Sequence, residues 1–263
     1  MNKKLLLALA SALAGSSSLI SQTSAPVPAA APSVAVTATA AFATDYMFRG
    51  QRLQGPSFQP TVEMAAGNLT LGVWGNFPIK DEVPGSSDPE IDPYGSYTIP
   101  VNAATSIVPG FTVYTYPNAD KSVGFYKTTI EPNLALNYTV SGLKLTPKVY
   151  YDFVLEGAVY EFTAFYAAPL KEMGTELDFT ATYGTYKFDE FAENSSPSTK
   201  AWGNYWLIGV AMPFQIAANQ KITLGVAYTE GTDAYTKLGT LPRSPNAGAI
   251  DKIVGTIAYS FSF

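Results

Sequence analysis

The chain has 263 residues, 47% hydrophobic and 13% aromatic, with 16 basic and 21 acidic side chains and a formal net charge of −5. That balance suits nucleic acid poorly, because phosphate contacts need a surplus of Lys and Arg. Histidine and cysteine are both absent, which excludes Ser-His-Asp and Cys-His catalysis, histidine zinc sites, disulfides and a lipoprotein anchor. An outer-membrane phospholipase, which needs a catalytic histidine, falls to the same count.

Residues 1–31 read as an export leader and a short Ala/Pro-rich linker. Asn2-Lys3-Lys4 is the basic start, Leu5 to Ala14 the short apolar run, and Ala25 to Ala31 the region of cleavage. Removing Lys3 and Lys4 from the 16 bases leaves 14 against 21 acids, a net of −7. No apolar run reaches the ~18 residues of a membrane helix.

Residues 32–263 alternate apolar and polar with period two, the signature of strands. The first expected strand runs from Ser33 to Arg49. It carries Val34, Val36, Ala38, Phe42, Tyr46 and Phe48 on one face, with Thr37, Thr39, Asp45 and Arg49 on the other. Gly50 to Gly55 reads as a loop. Pro56 to Ala66 puts Phe58, Val62 and Met64 against Gln59, Thr61 and Glu63, and Gly67-Asn68 turns the chain. Leu69 to Phe77 sets Leu71 and Val73 against Thr70, Trp74 and Asn76. Glu90, Asp92, Tyr94 and Ser96 share one face of the next strand, Glu90 to Ile99. Val108 to Tyr116 is short and aromatic.

Phe125 to Val140 places Glu131, Asn133 and Asn137 inside, and Ser141-Gly142 closes a hairpin with Leu143 to Phe153, which carries Lys144, Lys148, Tyr150 and Asp152 inward. Ala158 to Ala168 contributes Glu161 and Thr163, and Thr175 to Tyr186 contributes Glu176 and Asp178. Trp202 to Phe214 is apolar on both faces, so its sides stay open. Lys221 to Thr229 follows. The last strand, Ile250 to Phe263, turns Tyr259, Phe261 and Phe263 to one face and small or polar residues to the other, apart from Val254.

Strands of about ten residues suit a tilted membrane strand. Long polar loops at 78–89, 188–200 and 230–249 alternate with short turns, as they do in a barrel with both ends in the periplasm. A soluble sandwich has no reason to keep that alternation. The expected fold is therefore all-β: a single closed antiparallel transmembrane β-barrel of about twelve strands. It sits in a bacterial outer membrane after export and signal cleavage.

Asp45-Tyr46-Met47-Phe48-Arg49-Gly50 resembles the DYxFRG opening of the TorF-type porins, a family of conserved hypothetical outer-membrane proteins. Trp74-Gly75-Asn76, Glu90-Ile91-Asp92 with Tyr97, and Tyr114-Thr115-Tyr116-Pro117 are similar to further elements of that family. The likeness covers the first half of the chain and implies a porin fold.

The residues expected to line the lumen are Asp45, Arg49, Glu63, Trp74, Glu90, Asp92, Glu131, Lys148, Asp152, Glu161 and Asp178, because charges on a membrane strand must face inward. With Lys144, Lys221 and Lys252 added, the wall holds more acids than bases, a weak preference for cations. Asp45 and Arg49 read as an ion pair on one strand face. Glu131, Asp152 and Glu161 form either a cation-attracting patch or three acids with separate partners. Tyr46, Tyr151, Tyr166, Trp202 and Trp206 read as anchors at the membrane interface.

The expected activity is passive diffusion of small hydrophilic solutes, without a cofactor, a metal or catalysis. A plugged barrel acting as an anchor or adhesin through its outer loops is the alternative. Lipid outside and the barrel-assembly machinery, through the closing strand, are the expected partners; nucleic acid is not.

Overall fold

The computed structural model describes residues 34–80, 89–119, 127–188, 202–231 and 251–263. The expected leader and most of the three long loops lie outside the described residues.

In chain order the strands are β1 (Val34–Ala43), β2 (Tyr46–Phe48), β3 (Gln51–Gln54), β4 (Ser57–Ala66) and β5 (Leu69–Pro78). Then come β6 (Glu90–Tyr97), β7 (Ile99–Pro100), β8 (Thr105–Thr115), β9 (Thr128–Val140) and β10 (Leu143–Asp152). The last are β11 (Gly157–Leu170), β12 (Thr175–Phe188), β13 (Gly203–Ala217), β14 (Gln220–Gly231) and β15 (Asp251–Ser262). All but β2, β3 and β7 are staves of one closed antiparallel barrel of twelve. Each stave pairs with its chain neighbours, and β1 pairs with β15 to join the two ends of the chain, with Thr37 opposite Ser262 and Ala43 opposite Thr256.

At the end where Val34 and Phe263 lie the connections are tight. Gly67 and Gly142 take φ of 61° and 83°, and Ser141 takes 49°; this left-handed geometry is what a two-residue hairpin needs. A single 3-10 turn, Lys171–Met173, ends on Gly174 in the same region. The connection at 98–104, which carries β7, is the longest at this end. The alternation of long and short connections thus holds, with one exception at the far end, where only 153–156 separate β10 from β11.

The side-chain alternation follows the sequence. On β15, Val254, Ala258 and Ser260 are buried while Ile253, Ile257 and Tyr259 are exposed. On β10, Lys144, Lys148, Tyr150 and Asp152 are buried while Val149 and Tyr151 are exposed. The open question of β13 is answered: Tyr205, Leu207 and Ala211 are buried and Ile208 is exposed. Its inner face is apolar or small, which is why polarity alone did not separate the two sides.

The first strand departs furthest from expectation, and Gln51–Gln54, read as loop, forms β3. β1 stops at Ala43 rather than running on to Arg49. Tyr46 is not an interface anchor; it is buried, at 2% exposure.

Inside the barrel, tyrosines lie over glycines of the facing strand. Tyr205 sits opposite Gly184, and Tyr186 opposite Gly203; a Cβ on either glycine would fall within the opposing ring. Gly72 and Tyr94 repeat the pairing between β5 and β6. The missing side chain gives the ring room to lie along the wall, a known device for filling the gap a strand glycine leaves. Gly184→Val is expected to cost about 1–3 kcal/mol through overpacking, seen as a lower urea midpoint for the compact band in unheated gel electrophoresis. On the outer face, Leu224→Arg is expected to cost about 2–4 kcal/mol if that face meets the bilayer midplane, measured by the same assay in lipid vesicles.

Candidate functional site: a hairpin folded into the barrel

The connection between β1 and β4 does not leave the barrel. Its two short strands, β2 and β3, pair with each other and not with any stave. Phe48 stands opposite Gln51, so Arg49-Gly50 is a two-residue turn, with φ of 50° and 75°. Positive φ at both central positions is the turn that matches strand twist. Glycine takes it freely, whereas for arginine it costs roughly 1–2 kcal/mol. Something must hold Arg49 there.

That partner is Glu131 on β9. The Arg49 Nη2 donates to Oε1 at 2.6 Å and to Oε2 at 2.7 Å, and the two side chains are 8% and 0% exposed. The Tyr114 hydroxyl of β8 donates to the same carboxylate at 2.9 Å. The guanidinium also lies 4.6 Å from the Phe48 ring centroid and 5.2 Å from that of Tyr150 on β10. An ion pair so withdrawn from water is strongly destabilised when one partner alone is removed.

The rest of the hairpin is tied down around it. Tyr46 meets Trp74 of β5 with ring centroids 5.4 Å apart, and Phe48 meets Tyr114 edge-on at 5.6 Å. Asn76 Nδ2 donates to Gln54 Oε1 at 2.6 Å, and Gln59 Nε2 donates to Asn76 Oδ1 at 2.9 Å. Met47 packs with Ala43 and Val254. Gly50 and Gly231 of β14 approach so closely that a Cβ on either would overlap the other's backbone. The hairpin therefore reaches from β5 past β8, β9 and β10 to β14, across the interior.

Asp45 and Arg49 do not pair with each other. They sit in this inserted hairpin, not on one strand face; Asp45 accepts from Arg52 Nε at 2.5 Å within the hairpin, and Arg49 goes to the wall. Tyr116, just past β8, donates its hydroxyl to Glu90 at 2.8 Å. Burial, and next the charge of Glu90, push the hydroxyls of Tyr46 and Tyr116 well above the usual phenol range, so both stay protonated.

Most of the other wall acids have their own partners, although Asp92 Oδ2 and Asp178 Oδ1 are buried without a hydrogen bond among the described residues. Asp92 accepts the Thr115 N–H at 3.2 Å. Glu161 takes the hydroxyls of Tyr150 at 2.9 Å and Tyr205 at 2.6 Å, and stands across from Lys148. Asp152 caps the next turn by accepting the N–H groups of Val154 and Leu155, both at 2.8 Å. Glu63 accepts from Tyr94 at 2.8 Å. Asp178 stands beside Glu176 and Lys221 near the short-turn end. Glu131, Asp152 and Glu161 are thus held separately, and the arginine that neutralises the first arrives from a segment read as strand and loop. Among the described residues no cluster of acids has the form of a metal site.

Arg49→Met is expected to loosen the hairpin by about 3–5 kcal/mol, because it strands Glu131 without a counter-charge. Faster amide exchange over residues 46–54 would show it. Pairing it with Glu131→Leu should restore much of the protection.

This architecture is shared by solved structures. The chain is similar to a NanC porin (TM-score 0.53, 11% identity, covering 86% of this chain and 98% of that one). It is also similar to a KdgM porin (TM-score 0.50, 13% identity, 87% and 99%) and to an outer membrane channel from Pseudomonas putida F1 (TM-score 0.50, 10% identity, 92% and 97%). At these identities the likeness is one of fold: the barrel of the outer-membrane porins. No curated protein sequence matches the chain. Residues 28–261 match the family described as a bacterial protein of unknown function (Gcw_chp), and the chain belongs to that family.

Proposed function

We propose that the protein is an outer-membrane channel of the porin type, admitting small hydrophilic solutes by diffusion and narrowed by its own β2–β3 hairpin. The observation that carries this is the polar, tyrosine- and charge-lined interior bridged by Arg49 and Glu131 at 2.6 Å. An interior meant only to be filled has no need of buried charge, which is costly to desolvate. The likeness to TorF-type porins at the hairpin and its wall partners points the same way. In this reading the chain is a channel rather than an enzyme. Asp45, Arg49, Glu63, Trp74, Glu90, Asp92, Glu131, Lys148, Asp152, Glu161 and Asp178 border the solute path or fix the element that narrows it. Residues 1–31 direct export, the closing strand with Tyr259, Phe261 and Phe263 presents the barrel to the assembly machinery, and the apolar outer face meets lipid.

The inserted hairpin also favours a second reading, a barrel plugged at rest that acts as an anchor or adhesin through its outer loops. Planar-bilayer recording separates the two. The wild type should give discrete openings. A variant with residues 45–54 replaced by a short Gly-Ser turn should conduct several-fold more, after unheated gels confirm that it is folded. If both proteins are folded and silent, the channel reading falls and the plugged barrel takes its place.

A further inference from the structure

Three lysines on the inner wall are buried: Lys144, Lys148 and Lys221, at 6%, 8% and 3% exposure. Lys221 on β14 is acted on by the carboxylates of Asp178 and Glu176. On β10, Lys148 likewise lies within reach of the carboxylates of Glu161 and Glu131 and of the like charge of Arg49, whereas the charge beside Lys144 is Lys148. Neither Lys144 nor Lys148 makes an ion pair among the described residues. Lys148 has Glu161 across the strand and an ammonium 4.5 Å from the Tyr150 ring centroid. Both oxygens of that glutamate, however, are taken by the Tyr150 and Tyr205 hydroxyls. Lys144 stands opposite Thr139 on one side and Phe165 on the other, and Lys148, of its own sign, lies beside it on the same face.

The wall beside Lys144 is polar. Thr146, between the two lysines, donates to Asn137 at 2.9 Å, and Asn137 donates to Ser106 at 3.3 Å. Lys144 is two residues from the Ser141-Gly142 turn, at the end away from the inserted hairpin. At about 3.3 Å per residue the two α-carbons are ~13 Å apart along the strand. A buried ammonium without a counter-ion is costly, and an ionisable group inside a membrane protein is a functional candidate for that reason.

We propose that Lys144 and Lys148 form a two-step anion site on the inner half of the lumen, which takes solutes bearing carboxylate or phosphate groups. The site names a solute class for the channel proposed above and rests on that reading for its role in transport, but its binding is testable without conduction. The weak cation preference expected from the count of wall charges does not apply at this position. The acids of β6 and β9 gather around the hairpin, each with its own donor, while β10 presents two ammonium groups that make no ion pair among the described residues.

The test uses the full chain, folded in detergent, with inorganic phosphate as the probe and chloride at matched ionic strength as the reference. Phosphate should raise the unfolding temperature of the wild type by several degrees, and Lys144→Gln with Lys148→Gln should abolish the rise. Lys144→Arg with Lys148→Arg should keep it, a control that separates lost charge from lost folding. In planar bilayers under a KCl gradient, the Gln variant should lose chloride permeability relative to potassium several-fold. A wild type indifferent to phosphate, or a Gln variant that responds equally, overturns the site. A phosphate response that depends on the lysines in a protein that never conducts keeps the site and removes the channel reading.

Discussion

Every backbone amide in a lipid-facing sheet must find its partner within the protein, because hydrocarbon supplies none. For this chain that requirement comes down to one seam, β1 against β15. The Phe263 N–H reaches the Val36 carbonyl at 2.9 Å, and on the inner side hydroxyl pairs run along the join, Thr37 with Ser262 at 3.0 Å and Thr39 with Ser260 at 2.9 Å. Without the seam, two long edges would carry unpaired groups. With it, inside and outside are defined for every stave, and each charged residue has one face available. The aromatic end of the chain lies outward because its alternate residues, Ser260 and Ala258, are the small ones that fit within.

Closure creates a second problem. A twelve-stranded barrel has more interior than its side chains readily fill, and much of this wall is small: Ala41, Gly209, Gly225, Ala227 and Ala258. The chain answers with a hairpin rather than with larger side chains. A buried ion pair adds little net stability over an apolar pair of the same volume, but it is demanding in geometry. Arg49 meets both oxygens of Glu131 from a backbone held in the left-handed turn. Contact and turn therefore specify each other and fix where in the interior the hairpin stops. The close passage of Gly50 past Gly231 sets the same limit from the opposite wall.

The barrel was legible because period two survives in nearly every stave, and because tight turns such as Ser141-Gly142 carry their own chemistry. The hairpin was not, because the alternation continues past the true end of β1. Phe42, Tyr46 and Phe48 keep the phase of an outward face and Asp45 and Arg49 that of an inward one, although the strand ends at Ala43. Two signals pointed the other way. A strand from Ser33 to Arg49 is far longer than the ~9–11 residues a tilted crossing needs. The four sequence elements singled out in the first half of the chain also converge once folded: the first is β2 with its turn, Trp74 and Tyr114 touch it, Asn76 bonds to Gln54 of β3, and Glu90 acts on Tyr46. Spacing in sequence could not show this, because the contacts join segments that only barrel closure brings together.

The same point governs what a count of charges can say about a lumen. Carboxylates outnumber ammonium and guanidinium groups on this wall, yet the acids of its outer half are pinned. Glu131 is held by Arg49 and Tyr114, Glu161 by two tyrosines, Glu90 by Tyr116 and Asp152 by two backbone amides. A carboxylate that already accepts from fixed donors keeps its charge but has fewer lone pairs left for a passing ion. A lysine without an ion pair keeps all three of its donors to offer. Selectivity in a pore depends on which groups can still exchange partners with a solute. By that measure the chemistry of this interior is set less by its net acidity than by where the tyrosines are. They hold Glu131, Glu161 and Glu90 around the hairpin, while Lys144 and Lys148 on β10 make no ion pair among the described residues.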